Sequence, residues 1–153
     1  MNVSKKGEYG VRALIRLAIN YEKGTPITLI SDIARRENIP PKYLEQILIH
    51  LKNKGILLSK RGVGGGYSLA RAPEKISLGE IIRVIGGPLA PVNCVSVTAH
   101  VDCPNESSCG LYGIMRDVRN AIADIVDNIS LKEVAKRTLE LLERKEHLVN
   151  YVI

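Results

Sequence analysis

Three cysteines carry the strongest chemical signal in the chain. Cys94, Cys103 and Cys109 fall within 16 residues, spaced C-x8-C-x5-C. Thiolates are soft ligands suited to zinc or to the iron of an iron–sulfur cluster. Three of them leave one position open on a four-coordinate centre. His100 lies inside this stretch and is a candidate fourth donor, with Asp102, Glu106, Ser107, Ser108 and Tyr112 nearby. No C-x2–4-C pair is present, which disfavours a zinc knuckle. The usual four-cysteine ferredoxin spacings are missing as well. His50 and His147 fall on predicted helices far from the loop and are not assigned as ligands.

A second group of residues suits nucleic acid. Lys42, Tyr43, Glu45 and Gln46 occupy one turn of a predicted helix whose Leu44, Ile47, Leu48 and Leu51 form an apolar stripe. Glutamine can take adenine bidentately, and glutamate can accept from cytosine N4. Arg61 stands at the root of the turn Gly62-Val63-Gly64-Gly65-Gly66, where an arginine can enter a narrow minor groove. Lys5, Lys6, Lys52 and Lys60 are candidate phosphate contacts, which position a protein on DNA without specifying sequence.

The elements that must hold these residues follow from caps and periodicity. Ser4 caps a first helix with Val11, Leu14, Ile15, Ala18 and Tyr21, and Gly24-Thr25-Pro26 ends it. Thr28 is expected to cap a short second helix, broken at Asn38-Ile39-Pro40. Pro41 suits the first turn of the third, and Gly55 its left-handed exit. Ile56–Arg61 and Tyr67–Leu69 read as two strands of a hairpin with a glycine tip. Two close helices followed by such a hairpin make a winged helix-turn-helix, with its second helix in the major groove. Ser77-Leu78-Gly79-Glu80 and Ser130-Leu131-Lys132-Glu133 are capping boxes opening later helices. Between Leu89 and Gly110 no period is visible, and such a loop is usually functional or disordered. After it, Leu111, Ile114, Met115, Val118, Ala121, Ile122, Ile125 and Val126 recur at helical spacing, a stripe wide enough to predict dimerisation through residues 111–128.

Charge and composition set the class. The 153 residues are 45% hydrophobic and 25% charged, as in a globular protein that needs no disulfide staples. Residues 1–75 hold 14 Lys and Arg against 6 Asp and Glu; residues 76–153 hold 8 against 10. The first half therefore carries +8 and the second −2, which draws a polyanion to the first half. No apolar run spans a bilayer and no apolar segment follows Lys5-Lys6, so a cytoplasmic protein without a membrane partner is expected. With no Phe or Trp, stacking platforms for single strands are not expected. Nucleophile elbow, phosphate loop and carboxylate pair are all missing, so an enzyme is not expected. The predicted fold is mostly α with a small β-hairpin wing, a winged helix-turn-helix plus a long C-terminal dimerisation helix. Its expected division is 1–88 for DNA binding, 89–110 for the cysteine loop, and 111–153 for the dimerisation and C-terminal helices.

Lys42-Tyr43-Leu44-Glu45-Gln46, Arg61-Gly62-Val63-Gly64-Gly65-Gly66-Tyr67 and the three-cysteine loop before a long helix resemble the iron–sulfur cluster regulator (IscR) family of winged-helix transcription factors, related to the NsrR and CymR repressors. The resemblance covers about residues 1–145. It implies a homodimeric repressor of iron–sulfur cluster biogenesis genes that binds double-stranded operator DNA, its operator choice set by cluster occupancy. It also implies that Cys94, Cys103 and Cys109 hold the cluster, with 2Fe-2S preferred over 4Fe-4S. Two departures stand out. The first cysteine gap is 8 where well-known members have 5, and Tyr112 stands where the IscR branch has histidine. The fourth ligand is therefore not carried over; His100 or Glu8 is the candidate, since some relatives use an acidic residue on the partner's first helix. The alternative within the same fold is a nitric-oxide or redox-sensing repressor with a 4Fe-4S cluster.

Overall fold

The Ser4 hydroxyl accepts a hydrogen bond from the Gly7 amide at 3.1 Å and opens α1, Lys5–Glu22. The computed structural model describes residues 4–151, with side chains through residue 147. After α1 come α2 (Ile30–Glu37), α3 (Pro41–Asn53), β1 (Leu57–Lys60), β2 (Gly66–Leu69), α4 (Leu78–Gly86), α5 (Gly110–Asp127) and α6 (Leu131–Tyr151). The caps behave as their residue types require. Asn38 ends α2 in the left-handed region, Pro41 fills the first turn of α3, and Gly55 leaves α3 at φ 75°. Ser77 and Ser130 each accept from the amide three residues on, opening α4 and α6. Among the described residues, six α-helices and one antiparallel hairpin thus form the predicted winged-helix fold.

Thr28 corrects an expectation. It does not cap α2; Leu29 takes the N-cap position and makes no side-chain capping bond. Thr28 instead exchanges two backbone hydrogen bonds with Tyr67, both 2.9 Å, and its hydroxyl accepts from Asn20 at 2.9 Å. A cap would satisfy one amide; this bridge satisfies two main-chain groups of a nearly buried residue, so it prevails. The result extends the β1–β2 hairpin, whose register runs from Leu57 opposite Leu69 to Lys60 opposite Gly66.

The core lies between α1, α3 and the root of the hairpin. Leu14, Leu17, Leu44, Leu48 and Leu51 are fully buried there, each worth about 1.5–3 kcal/mol of apolar transfer. Leu131 and Ala135 of α6 join this core, and backbone bonds Leu78 to Ile129 and Leu131 to Ile76 stitch the start of α6 to the segment before α4. By contrast, α5 buries none of its residues. The stretch 89–110 forms two single-turn 3-10 helices, Asn93–Val95 and Glu106–Ser108, pinned by buried Leu89, Val95 and Ser96.

Candidate nucleic-acid interface and cysteine loop

The amphipathic pattern of α3 divides its residues as its spacing demands. Leu44, Ile47, Leu48 and Leu51 point into the core, while Lys42, Tyr43, Glu45, Gln46 and Lys52 are exposed. Tyr43 is held by an edge-on contact with Tyr9 of α1, ring centroids 5.8 Å apart and planes at 82°. Lys5 lies over the Tyr9 ring at 5.6 Å and reaches Glu8 at 2.8 Å. Hydrogen bonding between them raises the Lys5 pKa and lowers that of Glu8. Nothing in the spacing marks Tyr9, because only the crossing of α1 over α3 shows that it supports Tyr43. Lys6 is half-buried.

The wing stands clear of the body. Arg61 is exposed and Val63, at its tip, is fully so. Tyr67 on β2 is half-buried and bonded to Thr28: burial raises its phenol pKa, and the negative charge of Glu45 adds to the rise. An ion-pair cluster fixes the partner helix α2, with Arg16 on Glu37 at 2.7 Å and Arg12 on the same carboxylate at 3.5 Å. His50 Nε2 donates to the Val84 carbonyl at 2.9 Å, fastening the end of α3 to α4.

On the cysteine loop, Cys94 is half-buried while Cys103 and Cys109 are exposed. His100 Nε2 lies 3.2 Å from Asp102 and 3.8 Å from Glu106. Hydrogen bonding to Glu106, followed by burial, raises the Tyr112 pKa; Cys94 is close enough to add a further charge effect. Glu8 is engaged by Lys5 and, at 3.7 Å, by Arg12. Among the described residues no three His, Cys, Asp or Glu side chains converge as a metal ion requires. The donor set nonetheless suits a thiophilic group by kind, with three free thiols on a segment that has little regular structure.

An exposed polar helix face beside a glycine-tipped wing, both backed by one apolar core, defines a winged-helix DNA-binding protein. The chain matches the Rrf2 family, iron-dependent transcriptional regulators, over residues 3–137. It belongs to that family. It is 35% identical over 136 residues to an rrf2-like HTH-type transcriptional regulator of Rhodobacter capsulatus, covering 86% of this chain and 91% of that protein. The structure of CymR, the global cysteine regulator of B. subtilis, superposes with a TM-score of 0.72 at 32% identity, covering 90% of this chain and 98% of that one. The T. potens IscR structure gives 0.70 at 32% identity, covering 90% and 88%. No described helix is long and apolar enough to cross a membrane.

Proposed function

We propose that this protein is a homodimeric, cytoplasmic repressor that reads operator DNA and has no enzymatic activity. The carrying observation is the exposed face of α3 next to the exposed wing on a fully buried support. On this reading Glu45 and Gln46 meet base edges, Lys42 and Tyr43 flank them, and Arg61 enters the adjacent minor groove. Lys5, Lys6 and Lys52 take phosphates. Residues 1–88 read DNA, 89–110 sense, and 111–153 carry the dimer helix and the returning C-terminal helix. Exposed Leu111, Ile114, Val118 and Ile125 on α5 supply the apolar face for a second copy.

Cys94, Cys103 and Cys109 would hold an iron–sulfur cluster, 2Fe-2S ahead of 4Fe-4S, with His100 or the partner subunit's Glu8 as fourth donor. Such a cluster supplies sensitivity to oxygen, nitric oxide or iron supply. The regulated genes are then those of cluster biogenesis. The similarity to T. potens IscR supports this reading. The similarity to CymR and the lack of converging donors among the described residues support a second one, a thiol-responsive repressor without a cluster.

Operator titration over a range of salt tests the DNA reading. Lys52→Ala should lower the slope of log affinity against log salt by about 1, whereas Gln46→Ala should cost about 1–3 kcal/mol at one base position only. Uniform loss across sequences for Gln46→Ala would remove it from base readout. The visible spectrum with iron and sulfide content, measured without oxygen on wild type and a Cys103→Ala variant, separates the two sensing readings. A coloured protein lost in the variant supports the cluster, and a protein that stays colourless after reconstitution supports the thiol.

A further inference from the structure

Between the end of α4, the segment that leads into the cysteine loop, and the middle of α5 lies a cavity of about 110 Å³. Its polar lining comprises two arginines, Arg83 and Arg119, with Ser96, Thr98 and Asn120. Arg119 enters from α5 and is half-buried. Its Nη1 donates to the Val95 carbonyl at 2.6 Å; Nε and Nη2 donate to the Asn120 side-chain oxygen at 3.0 and 2.5 Å. Those partners are neutral, so among the described residues no carboxylate compensates the guanidinium charge, and two of its five N–H groups remain unused. The second lining arginine, Arg83, is different, because both oxygens of Asp127 already neutralise it at 2.6 and 2.8 Å. Ser96 is 5% exposed, and its oxygen accepts from the Ala99 amide, which leaves the hydroxyl proton to donate. Asn120 and Thr98 complete the polar lining. Among the described residues no acidic one lines the cavity, and Leu89 and Ala123 give it an apolar floor.

We infer that this cavity binds a small organic monocarboxylate. The carboxylate would take the two remaining Arg119 N–H groups and the Ser96 hydroxyl, and a short aliphatic body would cover Leu89 and Ala123. Charge-assisted donation from a guanidinium fork matches the geometry of a carboxylate. The apolar floor argues for an organic acid over inorganic phosphate, which would meet unfavourable surface there. The site lies on a strategic seam. Val95 closes the 3-10 turn that contains Cys94, so a ligand on Arg119 and Ser96 fastens that turn to α5. The inference does not depend on a cluster or on DNA.

Thermal unfolding of the purified full chain is the test, titrated with sodium propionate against propionamide, sodium chloride and sodium phosphate at equal ionic strength. A ligand this small is expected to bind with a dissociation constant of order ~1 mM and to raise Tm saturably. Propionamide and chloride should not do so. Arg119→Met should weaken the response at least about tenfold. Because that variant also loses the bond to Val95, Ala123→Leu is the second arm: it fills the cavity from α5 and leaves the Arg119 bonds in place. It should abolish the response. Three results would each overturn the inference: no saturable propionate effect beyond chloride, an equal effect of propionamide or phosphate, or a full effect in Ala123→Leu.

Discussion

Two glycines in the wing, two residues apart, should respond to alanine in opposite measure. Gly64 has φ 71° at the exposed tip, and a Cβ built there meets nothing within 4 Å. Gly64→Ala therefore pays only the left-handed backbone term, about 1–2 kcal/mol, in a segment that does not support the core. Gly66 has φ 146°, and its Cβ would overlap the Thr28 carbonyl oxygen and sit 2.7 Å from the Thr28 carbonyl carbon. Both are main-chain atoms, so no side chain can step aside. The chain must break the Thr28–Tyr67 bridge, losing two hydrogen bonds of about 1 kcal/mol each, and must also meet about 1–3 kcal/mol of backbone strain. The expected loss is about 3–5 kcal/mol for Gly66→Ala against at most about 2 for Gly64→Ala. Urea unfolding gives both values, provided the slope m is unchanged. The DNA readout should separate them further, because Gly66→Ala uncouples the wing root while Gly64→Ala alters only its tip. Equal losses for the two variants, or a loss below about 1 kcal/mol for Gly66→Ala, would refute the steric argument.

Three other perturbations test other parts of the structure. The Arg83 guanidinium lowers the Asp127 pKa, so this carboxylate stabilises the fold above its unfolded pKa of about 3.9 and loses that contribution as pH falls through the folded value. The pair is 34% and 42% exposed, so solvent screening limits Asp127→Asn to a loss of about 0.5–1 kcal/mol at neutral pH, and the variant should flatten the acid limb of urea midpoint against pH. Glu37→Gln leaves the Arg16 guanidinium, 15% exposed, without its carboxylate and should cost about 2–3 kcal/mol by the same urea measurement; a loss under about 0.5 would show the pair to be incidental. Ile114→Glu on the exposed face of α5 should shift the sedimenting species from dimer to monomer while leaving urea stability of the subunit nearly unchanged, and a dimer that persists would place the interface elsewhere.

Features governed by local rules are legible in the amino-acid order alone. Ser4, Ser77 and Ser130 cap where a hydroxyl three residues before a free amide must, and Pro41 and Gly55 bracket α3. The alternation of core and surface along α3 follows from period alone, and with it the candidate base-reading residues. Features that depend on distant parts of the chain meeting are not legible in this way. A one-residue bridge at Thr28 has no period to detect. The second half of the Ser77 box is diverted, because Arg71 claims the Glu80 carboxylate at 2.5 Å. Tyr9 gains its role only where α1 passes Tyr43, and Arg119 only where α5 passes Val95. The three cysteines illustrate the boundary well: their spacing predicts a ligand set, but spacing says nothing of whether thiols on a loop already point toward one another.

The position of α4 explains how one small chain can join its two ends mechanically. Adjacent residues of this nine-residue helix face opposite partners: the Val84 carbonyl takes His50 from α3, and Arg83 takes Asp127 from α5. The second contact is built into the helix one turn earlier, because Gly79 leaves free the space that the Asp127 carboxylate occupies; a methyl group there would displace it. A shift of α5 against α4 therefore cannot be absorbed by Arg83 alone without breaking a bidentate pair. Interfaces of this kind hold one arrangement or another more readily than a continuum between them. The cysteine loop runs from the end of α4 to the start of α5, so any change in its length or order acts on the same seam. Contacts made by two consecutive residues of α4 thus connect α5, which follows residues 89–110, with His50 near the C-terminal end of α3.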